Sequence, residues 1–236
     1  MLLVMTITVF LKSTVPLVQK MAAIVLPLIF AVTLHEAAHG WVADKLGDST
    51  ARRLGRITLN PIRHIDWFGT ILLPMLMMAF TGFLFGWAKP VPVNMAHLRN
   101  PRRDMVWVAL AGPGANLLMA ILWSLALLAT EMLAMPEWMV LPLAAMAVAG
   151  VFINLILMAL NLLPILPLDG GRVLAGILPQ AIARLYARIE PFGFFIIVGL
   201  LVAGVLGQVL TPVIFGGINL LPGTELVFGI LPLLLP

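Results

Sequence analysis

His35, Glu36 and His39 lie inside residues 21–46, a run that otherwise has the composition of a membrane-spanning helix. That coincidence constrains the chain more than any other feature. On a helix, residues four apart share a face one turn above each other, so two imidazoles spaced this way can grip a single metal ion. The intervening glutamate is then placed to handle a proton of water. Ionisable groups at bilayer depth cost about 2.5–3.5 kcal/mol each on insertion scales, so three within five residues require a function. No solvated helix face is available among residues 25–34 to explain them otherwise.

Composition agrees with the bilayer setting. Hydrophobic residues make up 62% of the 236 positions and charged residues 10%, which excludes a soluble globular domain and describes a polytopic membrane protein. The formal charge of +4 arises from few ionisable groups, and no basic, aromatic-interleaved patch points to nucleic acid. Cysteine is absent, so disulfides, thiolate metal sites and a cysteine nucleophile are excluded, and histidine and carboxylate are the ligands left for zinc.

A span needs about 20 apolar residues. By that measure helices fall near 21–46, 66–84, 104–133, 138–166 and 191–211, with 170–188 as a shorter amphipathic helix. The expected fold is all-α, a polytopic membrane protein of about five to six transmembrane helices. Residues 1–12 are too short to span and lack a charged leader, so they read as an interfacial segment and not as a cleaved signal. Residues 212–236, rich in proline and glycine, read as a re-entrant or interfacial tail. One membrane-embedded domain, 1–236, accounts for the chain, with a core at 21–172 and peripheral helices at 173–236.

The basic residues orient it. Arg52, Arg53, Arg56 and Arg63 follow the first helix, Lys89, Arg99, Arg102 and Arg103 precede the third, and Arg172, Arg184 and Arg188 follow the fourth. The link between helices three and four carries Glu131 and Glu137 instead. The positive-inside bias places the three basic loops in the cytoplasm and the acidic link outside, with Lys12 and Lys20 in minor conflict. Residues 66–98 must then enter the membrane and return. The stretch 85–94 is too rich in proline to return as a helix, so it reads as an extended, re-entrant segment near residues 85–95, tolerable at depth only against protein or a wet cavity.

Catalytic zinc sites usually offer three protein ligands, and the chain has ten acids from which to draw the third. The longer H-E-x-x-H-x-x-G-x-x-H pattern fails, because Val42 and Lys45 stand where its glycine and third histidine belong. Asp44 and Asp48 lie near a basic loop, Asp66 suits a helix N-cap, Asp104 sits among arginines, and Glu131, Glu137 and Glu190 flank helix ends. Asp169 and Glu225 remain in apolar surroundings. Asp169 is the better candidate, since Pro164 and Pro167 break the helix before it and Gly170 and Gly171 free the backbone after it. His64 and His97 fall in basic segments and are expected not to bind the catalytic metal.

With these residues in place, the chain resembles the site-2 protease family of intramembrane zinc metalloproteases, in its compact prokaryotic form without a PDZ insert. His35-Glu36-Ala37-Ala38-His39 resembles the family's zinc helix, and residues 161–171 resemble its second signature of Asn, Pro and Leu-Asp-Gly. Residues 111–116 and 85–94 are similar to segments of compact members, so the likeness covers about 21–172. The resemblance implies hydrolysis of peptide bonds within or near transmembrane segments of membrane-anchored substrates in the lipid bilayer. It implies one Zn²⁺ per chain on His35, His39 and Asp169, with Glu36 as the catalytic base. It also implies a substrate or oxyanion role for Asn161, while Asn116 reads first as a buried interhelical hydrogen bonder and second as a site residue. An unwound substrate is expected to pair with the 85–94 segment through Val91 and Val93. The rival readings are an ion or metal transporter using intramembrane His and Asp, against which no inverted repeat is evident, and an inactive membrane-binding relative, against which the ligand set is intact. The oligomeric state is not legible in the sequence.

Overall fold

The computed structural model describes residues 17–72, 75–76, 88–133 and 135–234, which form nine α-helices and no strand. They are α1 (Leu17–Lys45), α2 (Thr50–Arg53), α3 (Pro101–Met132), α4 (Glu137–Asn161), α5 (Asp169–Ile177), α6 (Gln180–Ala187), α7 (Gly193–Val202), α8 (Val205–Leu220) and α9 (Thr224–Leu234). Among the described residues, four stretches are long and apolar enough to cross a membrane: Ala23–Lys45, Pro101–Met132, Met139–Asn161 and Gln180–Val202. In the first three, 44%, 44% and 56% of the most apolar window is buried against protein. The fourth is only 11% buried, so it lies at the periphery with its sides toward lipid.

α1, α3 and α4 pack on one another, and α5 packs on α3. Small residues make the close approach possible: Ala31, Ala43, Ala109, Ala120, Ala144 and Ala147 are all essentially inaccessible. In lipid there is little hydrophobic gain from helix association, so close van der Waals contact between thin helix faces must supply it. A larger core forms between α3, α4, α8 and α9 around Leu127, Val148, Leu155, Ile218, Val227 and Ile230. A second one, of Ala43, Leu98, Met105 and Val108, joins the end of α1 to the start of α3.

Several boundaries differ from the sequence reading. α4 stops at Asn161 instead of 166, because Pro164 cannot donate to a carbonyl four residues back and disfavours helix at the residue before it. The amphipathic stretch 170–188 is two helices, α5 and α6, divided at Leu178-Pro179. The span expected at 191–211 is split by Gly204, whose φ of +72° suits glycine and ends α7. Residues 212–234 are the end of α8 and all of α9, and they contribute Ile214, Ile218, Leu226, Val227 and Ile230 to the main core. That tail is therefore a packed helical part of the fold. Of the 66–84 span, Trp67–Leu72 form a short π-helical turn in which Asp66 Oδ1 accepts from Gly69 N–H, as its capping role required. The remainder of that span, other than residues 75–76, lies outside the described residues, as do residues 1–12 and the 85–87 part of the re-entrant segment.

A buried triad of two histidines and an aspartate

α1 carries His35 and His39 on the face turned to α3, 7% and 9% exposed. Asp169 is the first residue of α5 and is equally buried. It reaches the same point because Gly170 and Gly171 let α5 tuck under the chain that precedes it. A Cβ at Gly171 would stand 2.5 Å from Leu166 N, and one at Gly170 would strike the backbone of Leu162 and Leu163. The three side chains converge on one spot. His35 Nε2 and His39 Nε2 are 3.0 Å apart, and Asp169 Oδ2 lies 3.2 Å from the first and 3.3 Å from the second.

The protons on those rings follow from their partners. Val108 O is an acceptor only, so His39 Nδ1, 2.7 Å away, must donate to it. Asn154 donates from Nδ2 to Gly150 O at 2.8 Å, so its Oδ1 accepts from Asn116 Nδ2 at 2.9 Å. Asn116 Oδ1 therefore accepts from His35 Nδ1 at 2.6 Å. With both Nδ1 atoms protonated, neutral imidazoles present bare lone pairs at Nε2. Two such lone pairs and a carboxylate oxygen then meet in a buried site, and Asp169 Oδ2 has no hydrogen-bond partner there. Three acceptors without a donor repel one another, and a cation removes the conflict.

The geometry suits zinc. A tetrahedral Zn²⁺ with bonds of about 2.0–2.1 Å holds its ligand atoms roughly 3.3 Å apart, close to the sides of this triangle. The N, N, O donor set is one that Zn²⁺ accepts, and hydrogen-bond acceptors behind the Nδ1 atoms are what orient metal-ligating histidines. Among the described residues this is the one His, Asp and Glu cluster with a metal-like arrangement. Gly112 keeps the space free, since a Cβ there would strike His39 Nε2 and lie 2.6 Å from His35 Nε2.

Glu36 follows His35 on the helix and stands half-buried beside the triad. Its Oε2 accepts from Val91 N–H at 2.8 Å. Residues 88–94 thus run past the site as a strap without helix or strand, closely apposed to α1 where Gly40 would put a Cβ 3.0 Å from Val91 Cγ1. The strap is pinned elsewhere too. Lys89 N–H donates to His64 O at 2.9 Å, and Asn94 N–H donates to Asp48 Oδ2 at 2.6 Å. The Val91 amide expected to pair with substrate is accordingly occupied by Glu36.

Asp48 lies in the loop between α1 and α2, as its sequence position suggested, but it is fully buried there and anchors the strap. Burial pushes its carboxyl pKa up, but hydrogen bonds from the Thr50 hydroxyl and the Asn94 and Thr50 amides, with His97 beside it, hold it below the ordinary carboxylate value. His64 is buried with Nε2 on Thr58 O, and His97 is half-exposed against Asp48, so neither joins the triad. Glu225 is exposed in the first turn of α9. Asn161 donates from Nδ2 to Leu157 O within α4. Asn116 is a buried interhelical link to Ala31 O and Asn154, and its Oδ1 also accepts from His35 Nδ1. Sequence reading missed Asn154, and it placed Gly112 in the 111–116 likeness without a role of its own. For Asn154 the signal was available, as an amide in the middle of an apolar span.

Comparison with known proteins gives a consistent neighbourhood. Residues 131–204, which include Asp169, match peptidase family M50. YwhC of Bacillus subtilis is 37% identical over 199 residues, covering 84% of this chain and 88% of its own length. Rip2 of Mycolicibacterium smegmatis is 30% identical over 184 residues, 76% of this chain and 66% of Rip2. Rip2 of Mycobacterium tuberculosis is 32% identical over 179 residues, 74% of this chain and 64% of Rip2. The names of all three contain the words zinc metalloprotease. No solved structure matches the chain.

Proposed function

The chain belongs to peptidase family M50, and on that footing we propose how its residues divide the work of an intramembrane zinc metalloprotease. His35, His39 and Asp169 hold one zinc ion per chain, and Glu36 is the base. The observation that carries this reading is the triangle of three buried acceptor atoms, 3.0–3.3 Å on a side, whose imidazole tautomers are fixed from behind. When bound, zinc lowers the pKa of a water toward neutrality and polarises a peptide carbonyl.

The protein residues do the rest. Val91 N–H occupies Oε2 of Glu36, while Oε1 has no hydrogen-bond partner among the described residues and is the atom assigned to carry the proton. Glu36 takes it from water and returns it to the departing amine. Asn116 and the Val108 carbonyl keep the two rings aimed, so Asn116 acts through His35 and not on substrate. Asn161 is assigned a secondary role, since its Nδ2 is tied to Leu157 O and its Oδ1 remains to meet a substrate backbone at the end of α4.

The protein is an integral membrane protein, and its substrate is a transmembrane protein or peptide. A helix hides its carbonyls in its own hydrogen bonds, so the scissile segment must unwind before it reaches the site. Residues 1–236 act as a single domain in the cell membrane of a prokaryote, and the site faces the cytoplasmic half. Support for that orientation comes from the three basic loops and the acidic α3–α4 link. Single cysteines at Ser49 and Gln180 should react with an impermeant thiol reagent only from the cytoplasmic side, and one at Pro136 only from outside. Same-side labelling of positions 49 and 136 would overturn the orientation.

Function itself is tested in liposomes. The purified protein, co-reconstituted with a transmembrane peptide interrupted by Asn-Gly-Pro, should yield fragments whose appearance stops on zinc chelation and resumes on zinc addition. Cation flux without fragments would support the transporter reading instead.

A further inference from the structure

Arg56 is 8% exposed, with its Nε buried and unpartnered, and among the described residues no carboxylate pairs with it. A guanidinium in that position is costly unless something compensates it. Its Nη2 donates to two successive carbonyls of the strap, Lys89 O at 2.8 Å and Pro90 O at 3.3 Å. The next amide along is Val91 N–H, which holds Glu36 Oε2 at 2.8 Å. The two ends of one peptide unit are therefore gripped, by a cation at its oxygen and by an anion at its nitrogen.

The Pro90-Val91 bond is trans, and a trans peptide is a rigid plane in which C=O and N–H point in opposite directions. Fixing the oxygen on Arg56 fixes the direction of the N–H toward Glu36. The peptide dipole, about 3.5 D, then lies aligned between the two charges and stabilises both. Few other strap groups can substitute, because Pro90 and Pro92 on either side of Val91 have no N–H. Arg56 itself is held by its backbone amide, which donates to Ala51 O at 2.9 Å just after the Gly55 turn.

We propose that Arg56 is a positioning residue for Glu36, acting through the Pro90-Val91 peptide as a rigid lever that sets the orientation of the carboxylate beside the triad. The role rests on Glu36 being the base. Without the guanidinium the plane turns about the bonds on either side, the Val91 amide leaves Glu36, and the carboxylate samples directions that cannot serve the reaction. The triad has no contact with Arg56 among those described, so zinc binding is left intact.

Two readouts test this in detergent-solubilised full-length protein: hydrogen exchange of the ¹⁵N-labelled Val91 amide, and steady-state kinetics on a quenched-fluorescent form of the Asn-Gly-Pro transmembrane peptide. Arg56→Gln should speed Val91 exchange at least tenfold and lower kcat at least tenfold, with KM within about threefold and zinc still near one per chain. Arg56→Lys should recover part of both effects, because an ammonium can still donate to Pro90 O. The proposal is overturned if Arg56→Gln leaves Val91 exchange at the parent rate, if the loss appears in KM alone, or if both variants lose zinc, which marks a general structural role. Absence of peptide cleavage by the parent protein would instead count against the protease assignment, and Val91 exchange would still decide the lever.

Discussion

Glu36→Gln should retain close to one zinc per chain while cleavage falls by about 10²–10⁴-fold, the range that general-base removal produces. The substitution keeps the size of the side chain, and the amide oxygen can still accept from Val91 N–H, so the strap stays where it is. Neither histidine nor Asp169 is touched. What disappears is the carboxylate beside the triad that is assigned to take a proton and give it back. Metal analysis and fragment counting on the same preparation separate the two quantities. Equal turnover in the mutant would remove Glu36 from the mechanism, and loss of zinc would make it a structural residue.

Asp169→Ala should lose both zinc and activity, with zinc affinity falling by more than the roughly 10–100-fold that loss of an outer-shell partner costs. Two imidazole nitrogens 3.0 Å apart remain, without the carboxylate that offsets the cation's charge in a buried site. Glu225→Ala should leave both properties unchanged, since Glu225 is exposed in the first turn of α9, where its charge interacts with the helix dipole. Metal content and activity of the two purified variants decide between the acids. The reverse pattern would mean that Glu225 completes the metal site.

Much of this arrangement can be read from local sequence. The i, i+4 spacing of His35 and His39 needs only a helix to become a common face, and α1 is continuous across it. Asp169 is marked by the prolines before it and the glycines after it, which is the local chemistry that buries a carboxylate at the start of α5. The groups that make the triad competent are less visible, because their partners are remote in sequence. His35 and Asn116 are 81 residues apart, Asn116 and Asn154 are 38, and Glu36 and Val91 are 55. No periodicity encodes such pairings. Gly112 illustrates the same limit: a glycine within an apolar span reads as helix packing, and only the opposing histidines reveal that its missing Cβ is part of the site.

The helix count was blurred for a different reason. Apolar content is continuous across residues 191–211 and 212–234, so hydropathy does not register Gly204 or the turn at Leu221–Gly223, where backbone conformation divides the chain. Likewise His64 and Asp48 belong to polar, basic segments and read as surface groups. Tertiary contact with the strap buries both, through Lys89 N–H on His64 O and Asn94 N–H on Asp48.

Diffraction from zinc-loaded crystals at the zinc absorption edge tests the central claim most directly. One anomalous peak per chain should lie at about 2.0–2.2 Å from His35 Nε2, His39 Nε2 and an Asp169 carboxylate oxygen. A peak at another cluster, such as Asp48 with His97, and none within the triad would contradict the account.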